Sequence, residues 1–243
     1  MLDITSIRQE TPGCLDKIHF NNAGSSLMPA QVESYLVDYI KSDARYGGYE
    51  TADLFKEDLA NFYVAAAKTI NGHPDEIAFI ENATRAWDMV FYAFDWQVGD
   101  KVLTSMADYN SNMVAYIHAR NIFGIEFELI PNDETGQMDV EALEAAIDKN
   151  VKLISVSHIP TNSGLINPVR DVGQIAKKYN IPFLLDACQS VGQLPVDVKD
   201  IGCTMLSTTG RKYIRGPRGT GFLWVEKDWV ERLIPPLLDN YAA

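Results

Sequence analysis

KLISVSHIPTNSGLINPVRDVGQIAKKYNIPFLLD, residues 152–186, opens on a short apolar and β-branched run (KLISVS, 152–157) and closes on another (IPFLLD, 181–186). Between them lie a polar loop and a segment, DVGQIAKKYN (171–180), that begins with Asp, a good helix cap or first-turn residue. Two strands joined through a helix need a crossover connection, and a crossover makes them parallel. The alternation continues on both sides. Strand-like runs recur at IAFI (77–80), KVLTS (101–105), IEFELI (125–130), TMLS (204–207) and TGFLWV (220–225). TADLFKEDLANFYVAAAKTI (51–70) spaces Leu54, Leu59, Phe62, Ala66 and Ile70 at helix-like intervals, and DVEALEAAIDK (139–149) again opens with Asp. The expected fold is α/β, a mostly parallel central sheet of about seven strands with helices on both faces. No helix separates the last two runs, so a long loop is predicted there.

The 243 residues carry a formal net charge of -12, with 47% hydrophobic and 22% charged residues, the balance of an ordinary globular protein. Such acidity argues against nucleic acid or an anionic membrane as partner, because neutralising phosphates takes a broad basic surface. MLDITSIRQE lacks the basic-then-apolar pattern of a secretory leader, and no run reaches the roughly 18 apolar residues of a membrane span. Cys14, Cys188 and Cys203 are too far apart for a metal cluster or a disulfide framework. A cytoplasmic protein with reduced thiols is the expectation.

Ligands of such sheets sit outside the carboxyl ends of the strands. The residues that follow the runs include Glu81–Thr84, Asp108–Asn110, His158–Asn162, Asp186 with Cys188 and Gln189, and Thr208–Lys212. NATRAWDMVFYAF (82–94) reads as a polar turn opening a helix, whose N-terminus suits a phosphate or is simply capped by Asn or Thr. Asp186 ends an apolar strand, where it either awaits a cationic partner or caps the next turn. STTGRKYIRGPRGTGFLWV (207–225) concentrates Arg211, Lys212, Arg215 and Arg218 with four glycines and no acid. Lys212 there is either a nucleophilic amine in an apolar pocket or a solvated cation. His158 has no second His or Cys nearby and reads as a strand-end core residue. The glycines at 216–221 do not link a strand to a helix, and NATR lacks the Gly-rich turn of a nucleotide-binding domain.

Taken in order, FNNAGSSLMP (20–29), ENATRAW (81–87), ADYNSN (107–112), SHIPTNSGLINPV (157–169), LLDACQSVGQLPVDV (184–198) and LSTTGRKYIRGPRGTGFLWV (206–225) resemble the class V aminotransferases over nearly the whole chain. These pyridoxal-phosphate enzymes of fold type I include cysteine desulfurases, selenocysteine lyases and isopenicillin-epimerase-like proteins. The resemblance implies pyridoxal 5'-phosphate as cofactor. It makes Lys212 the Schiff-base lysine and Asp186 the carboxylate that keeps the pyridine nitrogen protonated, so that the ring accepts electrons from the substrate Cα. Gln189 is similar to the residue at the ring hydroxyl, and Tyr109 takes the place of the ring that stacks on the cofactor. Ala83, Thr84, Thr209 and Arg211 match the phosphate contacts, and Arg211 stands where the family usually has His. Thr161, with Asn162 beside it, stands where relatives often carry Asn. Asn22, Ala23 and Gly24 match the segment on the substrate side.

The domain organisation so implied is an N-terminal arm (1–30), a cofactor-binding large domain (31–235) and the start of a truncated small domain (236–243). The substrate-carboxylate arginine, the desulfurase cysteine and a phosphate contact from the partner subunit would belong to that missing part. None of the three cysteines matches the desulfurase position. The expected activity is chemistry at the Cα of a small amino acid by a homodimer, transaminase by the family label. An eliminating lyase, a desulfurase or an epimerase is the alternative, and so is a catalytically incompetent domain that binds cofactor or only pairs.

Overall fold

The computed structural model describes residues 3–238; the last five residues of the 236–243 segment lie outside that range. Seven strands form one sheet: β1 (Ile77–Phe79), β2 (Lys101–Ser105), β3 (Glu126–Ile130), β4 (Val151–Ser157), β5 (Phe183–Asp186), β6 (Met205–Thr209) and β7 (Gly221–Val225). Their spatial order is β1-β7-β6-β5-β4-β2-β3. β2–β6 are parallel to one another, while β7 pairs antiparallel with both β6 and β1. Six strands therefore point their carboxyl ends to one edge, as the crossovers require, and the helix-free connection explains the reversal at β7.

The helices are α1 (Ile4–Gln9), α2 (Gly13–Asp16), α3 (Ala30–Tyr46), α4 (Gly48–Leu54), α5 (Lys56–Ile70), α6 (Ala83–Phe91), α7 (Asn110–Phe123), α8 (Val140–Ala145), α9 (Val169–Tyr179), α10 (Val198–Ile201) and α11 (Lys227–Val230). Two cores flank the sheet. One joins Ile70 of α5, Val172 and Ile175 of α9 and Ile201 of α10 to Ile154, Phe183 and Leu185. The other joins Trp87 and Phe91 of α6 and Tyr116 of α7 to Leu153, Leu184 and Met205. Successive strand residues thus enter opposite cores, which is why the central runs are apolar without alternation. Asp139 caps α8 by accepting from Ala142 N, and Asp171 lies in the first turn of α9.

The 51–70 stretch is two helices, α4 and α5, interrupted at Phe55. Its spaced apolar residues divide accordingly. Ala66 and Ile70 are buried and Phe62 packs on the core, but Leu54 and Leu59 are exposed. Tyr35, Ile40 and Tyr49 are exposed as well, so α3–α5 carry several large apolar side chains that no other described element covers.

Candidate active site

The carboxyl edge of the sheet holds a cavity of about 180 Å³ lined by Ala83, Thr84, Tyr109, Thr161, Asp186, Gln189, Thr209, Arg211 and Lys212. Five more residues complete the lining, Asn82, Asn112, Ser157, Ile159 and Cys188.

One end is built for an anion. α6 starts at the rim with Asn82 as N-cap, whose side chain accepts from Arg85 N at 2.9 Å, and no acid lies in the first turn. The N–H groups of Ala83 and Thr84 are left free of helical partners, at the positive end of the dipole. Arg211 closes this end, its Nη1 donating to Thr209 Oγ1 at 2.9 Å. Toward the other end lies Asp186. Its Oδ1 accepts from Cys188 N at 3.0 Å and its Oδ2 from Asn112 Nδ2 at 3.4 Å. The partners that hold this buried carboxylate are thus a turn N–H and an amide, which leaves it open to a cation from a ligand.

Lys212 is 5% exposed. Among the described residues no carboxylate lies within ion-pair distance of its Nζ, which sits 5.8 Å from the centroid of the Tyr109 ring. Gln189 donates from Nε2 to Ala23 O (3.0 Å) and Thr161 Oγ1 (3.2 Å), and its buried Oε1 has no partner in the protein. Burial and the neighbouring Asp186 carboxylate push the Cys188 thiol well above its ordinary range, against the opposing pull of Lys212.

A cationic, helix-capped end, a central buried amine, an orphaned amide oxygen and a carboxylate awaiting a cation form the donor set that pyridoxal 5'-phosphate requires. The phosphate would go to the first group and the aldehyde to the second. The ring hydroxyl would meet the third and the protonated ring nitrogen the fourth.

The other residues singled out in the sequence are placed differently. Ala23 touches the site through Gln189, and Gly24 closes a turn with Asn21. Asn22 faces a neighbouring hollow instead, between the arm and the 213–215 segment. Of the four cations on the 207–225 loop, only Arg211 and Lys212 line the cavity. Arg218 is exposed. Arg215 staples the arm, donating to Thr11 Oγ1 (2.5 Å) and Leu27 O (3.3 Å) from a left-handed backbone (φ 64°). Asn112 and Ser157 were absent from the sequence-based site. An Asn four residues after Asp108, at helical spacing from it, was the available signal.

His158 directly follows β4 and is buried, with Nδ1 unpartnered in the protein. Burial, aided by Arg170, pushes its pKa down to about 4. The unfolded chain takes up this proton near 6.5 and the folded chain only near 4, so between those values the unfolded state binds more protons and stability falls as the pH is lowered. About 2 kcal/mol should be lost between pH 7 and pH 5 from this group. Denaturant titrations at the two values should show a smaller loss for His158→Gln.

A family model described as aminotransferase class-V matches residues 18–239. The chain is 29% identical over 237 residues to a probable cysteine desulfurase of Pyrococcus abyssi, covering 96% of this chain and 59% of the relative. It is 32% identical over 220 residues to a cysteine desulfurase of Dictyoglomus turgidum, covering 87% and 54%. Its fold superposes on the apo structure of a cysteine desulfurase from Thermococcus onnurineus with a TM-score of 0.87 at 25% identity, covering 99% of this chain and 61% of that one. The chain thus spans somewhat over half the length of the relatives it matches.

Proposed function

The chain belongs to the class V aminotransferase family, and on that premise we propose that it breaks a carbon–sulfur bond in a small sulfur-bearing amino acid, as an eliminating lyase of the cysteine desulfurase kind rather than a transaminase. The observation that carries this reading is the convergence of Lys212, Asp186, Gln189, Tyr109 and the Ala83–Thr84 helix start on one cavity. The choice of sulfur chemistry rests on the relatives, which are named cysteine desulfurases.

The cofactor is pyridoxal 5'-phosphate, which when bound supplies an electron sink for the pair released at the substrate Cα. Ala83, Thr84, Thr209 and Arg211 would hold its phosphate through backbone N–H, hydroxyl and guanidinium donors. Gln189 and Thr161 would meet the ring hydroxyl, and Tyr109 would cover one face. Asp186 holds a proton at the ring nitrogen. Lys212 Nζ takes the proton from the substrate Cα and gives one to the departing sulfur, which leaves Cβ as sulfide.

Sulfide and keto-acid assays of the cofactor-loaded protein, with L-cysteine and with a panel of amino acids, test this reading. Sulfide released from cysteine is the expected result. Keto acid formed with an amino acceptor, and no sulfide, would make the protein a transaminase. The exposed apolar side chains on α3–α5 favour a second reading, a domain that binds cofactor and pairs with a second copy of itself. A visible cofactor band that no amino acid perturbs would support it.

A further inference from the structure

Asp108 lies just beyond β2 at the start of α7, outside the cavity lining, yet its carboxylate is the most heavily bonded side chain near the site. Oδ1 accepts from Tyr109 N (2.7 Å), Asn112 Nδ2 (3.0 Å) and Ser157 Oγ (2.7 Å). Oδ2 accepts from Thr104 Oγ1 (2.8 Å) and Tyr116 OH (2.9 Å). Burial, with the Asp186 carboxylate nearby, raises the Asp108 pKa, and the donors around it, Ser157 and Thr104 foremost, oppose that shift by favouring the charged form. Three of the five donors belong to residues that line the cavity, Tyr109, Asn112 and Ser157. Asn112 uses the same Nδ2 to reach Asp186 Oδ2 at 3.4 Å. Ser157 stands directly opposite Asp186 in the β4–β5 register.

We propose that Asp108 is a positioning residue that registers the stacking ring of Tyr109 and the ring-nitrogen acid Asp186 to each other. It fixes the backbone of Tyr109 directly and presents the Asn112 amide to Asp186. It also places a second negative charge behind the acid, so that a cationic pyridine ring faces two carboxylates rather than one. Two like charges this close repel unless donors separate them, and the shared Asn112 amide lies between them. This inference rests on the cofactor reading above, because it assigns the network to that ring.

The experiment titrates pyridoxal 5'-phosphate into the apo protein and follows the visible band as a function of pH in wild type, Asp108→Asn, Asn112→Leu and the double variant. An amide at position 108 can still accept from Tyr109 N and donate to the Thr104 and Tyr116 hydroxyls, so the fold should survive, as far-UV circular dichroism will show. Asp108→Asn should weaken cofactor binding about tenfold and move the band's titration to lower pH by roughly half a unit or more, the direction expected when an anion near a protonated group is removed. Asn112→Leu cuts the bridge by itself and should give a shift in the same direction. The double variant should then shift by less than the sum. If wild type gains no band, the cofactor reading fails. If wild type gains the band and Asp108→Asn titrates and binds as wild type does, or if the two single effects simply add, the positioning role of Asp108 is refuted. Should Asp108→Asn fail to fold, Asn112→Leu decides alone: an unshifted band overturns the proposal.

Discussion

Lys212→Ala should abolish the borohydride-reducible visible band that pyridoxal 5'-phosphate gives with the wild-type protein and should lower turnover at least about 10³-fold. In the proposed function the covalent bond to the cofactor and the proton transfer at Cα both depend on this amine, and proton transfer by a positioned side chain alone contributes about 10²–10⁴-fold. The proposed phosphate contacts remain in the variant, since Ala83, Thr84, Thr209 and Arg211 belong to other parts of the cavity wall. Cofactor should therefore still bind, reversibly, and dialysis should remove it. A reducible band that persists in Lys212→Ala would mean that another amine serves, and the assignment of the site would fall. Stability should move the other way. The amine is buried with no carboxylate within ion-pair distance among the described residues, and a buried cation without a direct partner opposes folding. Lys212→Met keeps the apolar stem and should raise the thermal midpoint of the apo protein, by the equivalent of roughly 1 kcal/mol. Function is thus expected to cost stability at this position.

The largest effect on stability is expected at Gly173, far from the chemistry. This residue sits inside α9, where alanine would ordinarily be better than glycine by about 1 kcal/mol. A Cβ here, however, would lie 1.8 Å from the carbonyl oxygen of Ile201 and 2.9 Å from its carbonyl carbon. Those are backbone atoms at the end of α10, and no rotamer change can move them. The two helices would have to separate, opening the contacts of Val172, Ile175 and Ala176 with Val198 and Ile201. Overpacking typically costs 1–3 kcal/mol and sometimes more. A backbone collision belongs at the upper end, so Gly173→Ala should destabilise by about 3 kcal/mol net of the helix-propensity gain. For a chain of this size that lowers the thermal midpoint by roughly 6–12 °C. A melt within 2 °C of wild type would show that α9 and α10 are not held at the close approach described. The folded fraction should bind cofactor normally.

The alternation of apolar runs and helical stretches specified the α/β class, the helix-covered sheet and the edge on which chemistry gathers. The physical reason is local. A strand covered on both faces must be apolar throughout, and a parallel neighbour demands a crossover, so both leave their mark on contiguous residues. Family resemblance then named twelve residues, and folding brings nine of them to a single cavity, while Asn22, Ala23 and Gly24 do not line it. Tertiary structure decided what contiguous sequence could not express. It put β7 antiparallel between β1 and β6, and it broke the 51–70 helix at Phe55. It sent Arg215 to the arm and Arg211 to the cavity, although both lie on one short loop. It also tied Asp186 to Asn112, 74 positions away, and brought Ser157, 49 positions away, to Asp108. Partners so distant along the chain meet only once the sheet has ordered its strands, and their geometry rather than their residue type determines which charges face a ligand and which hold the protein together.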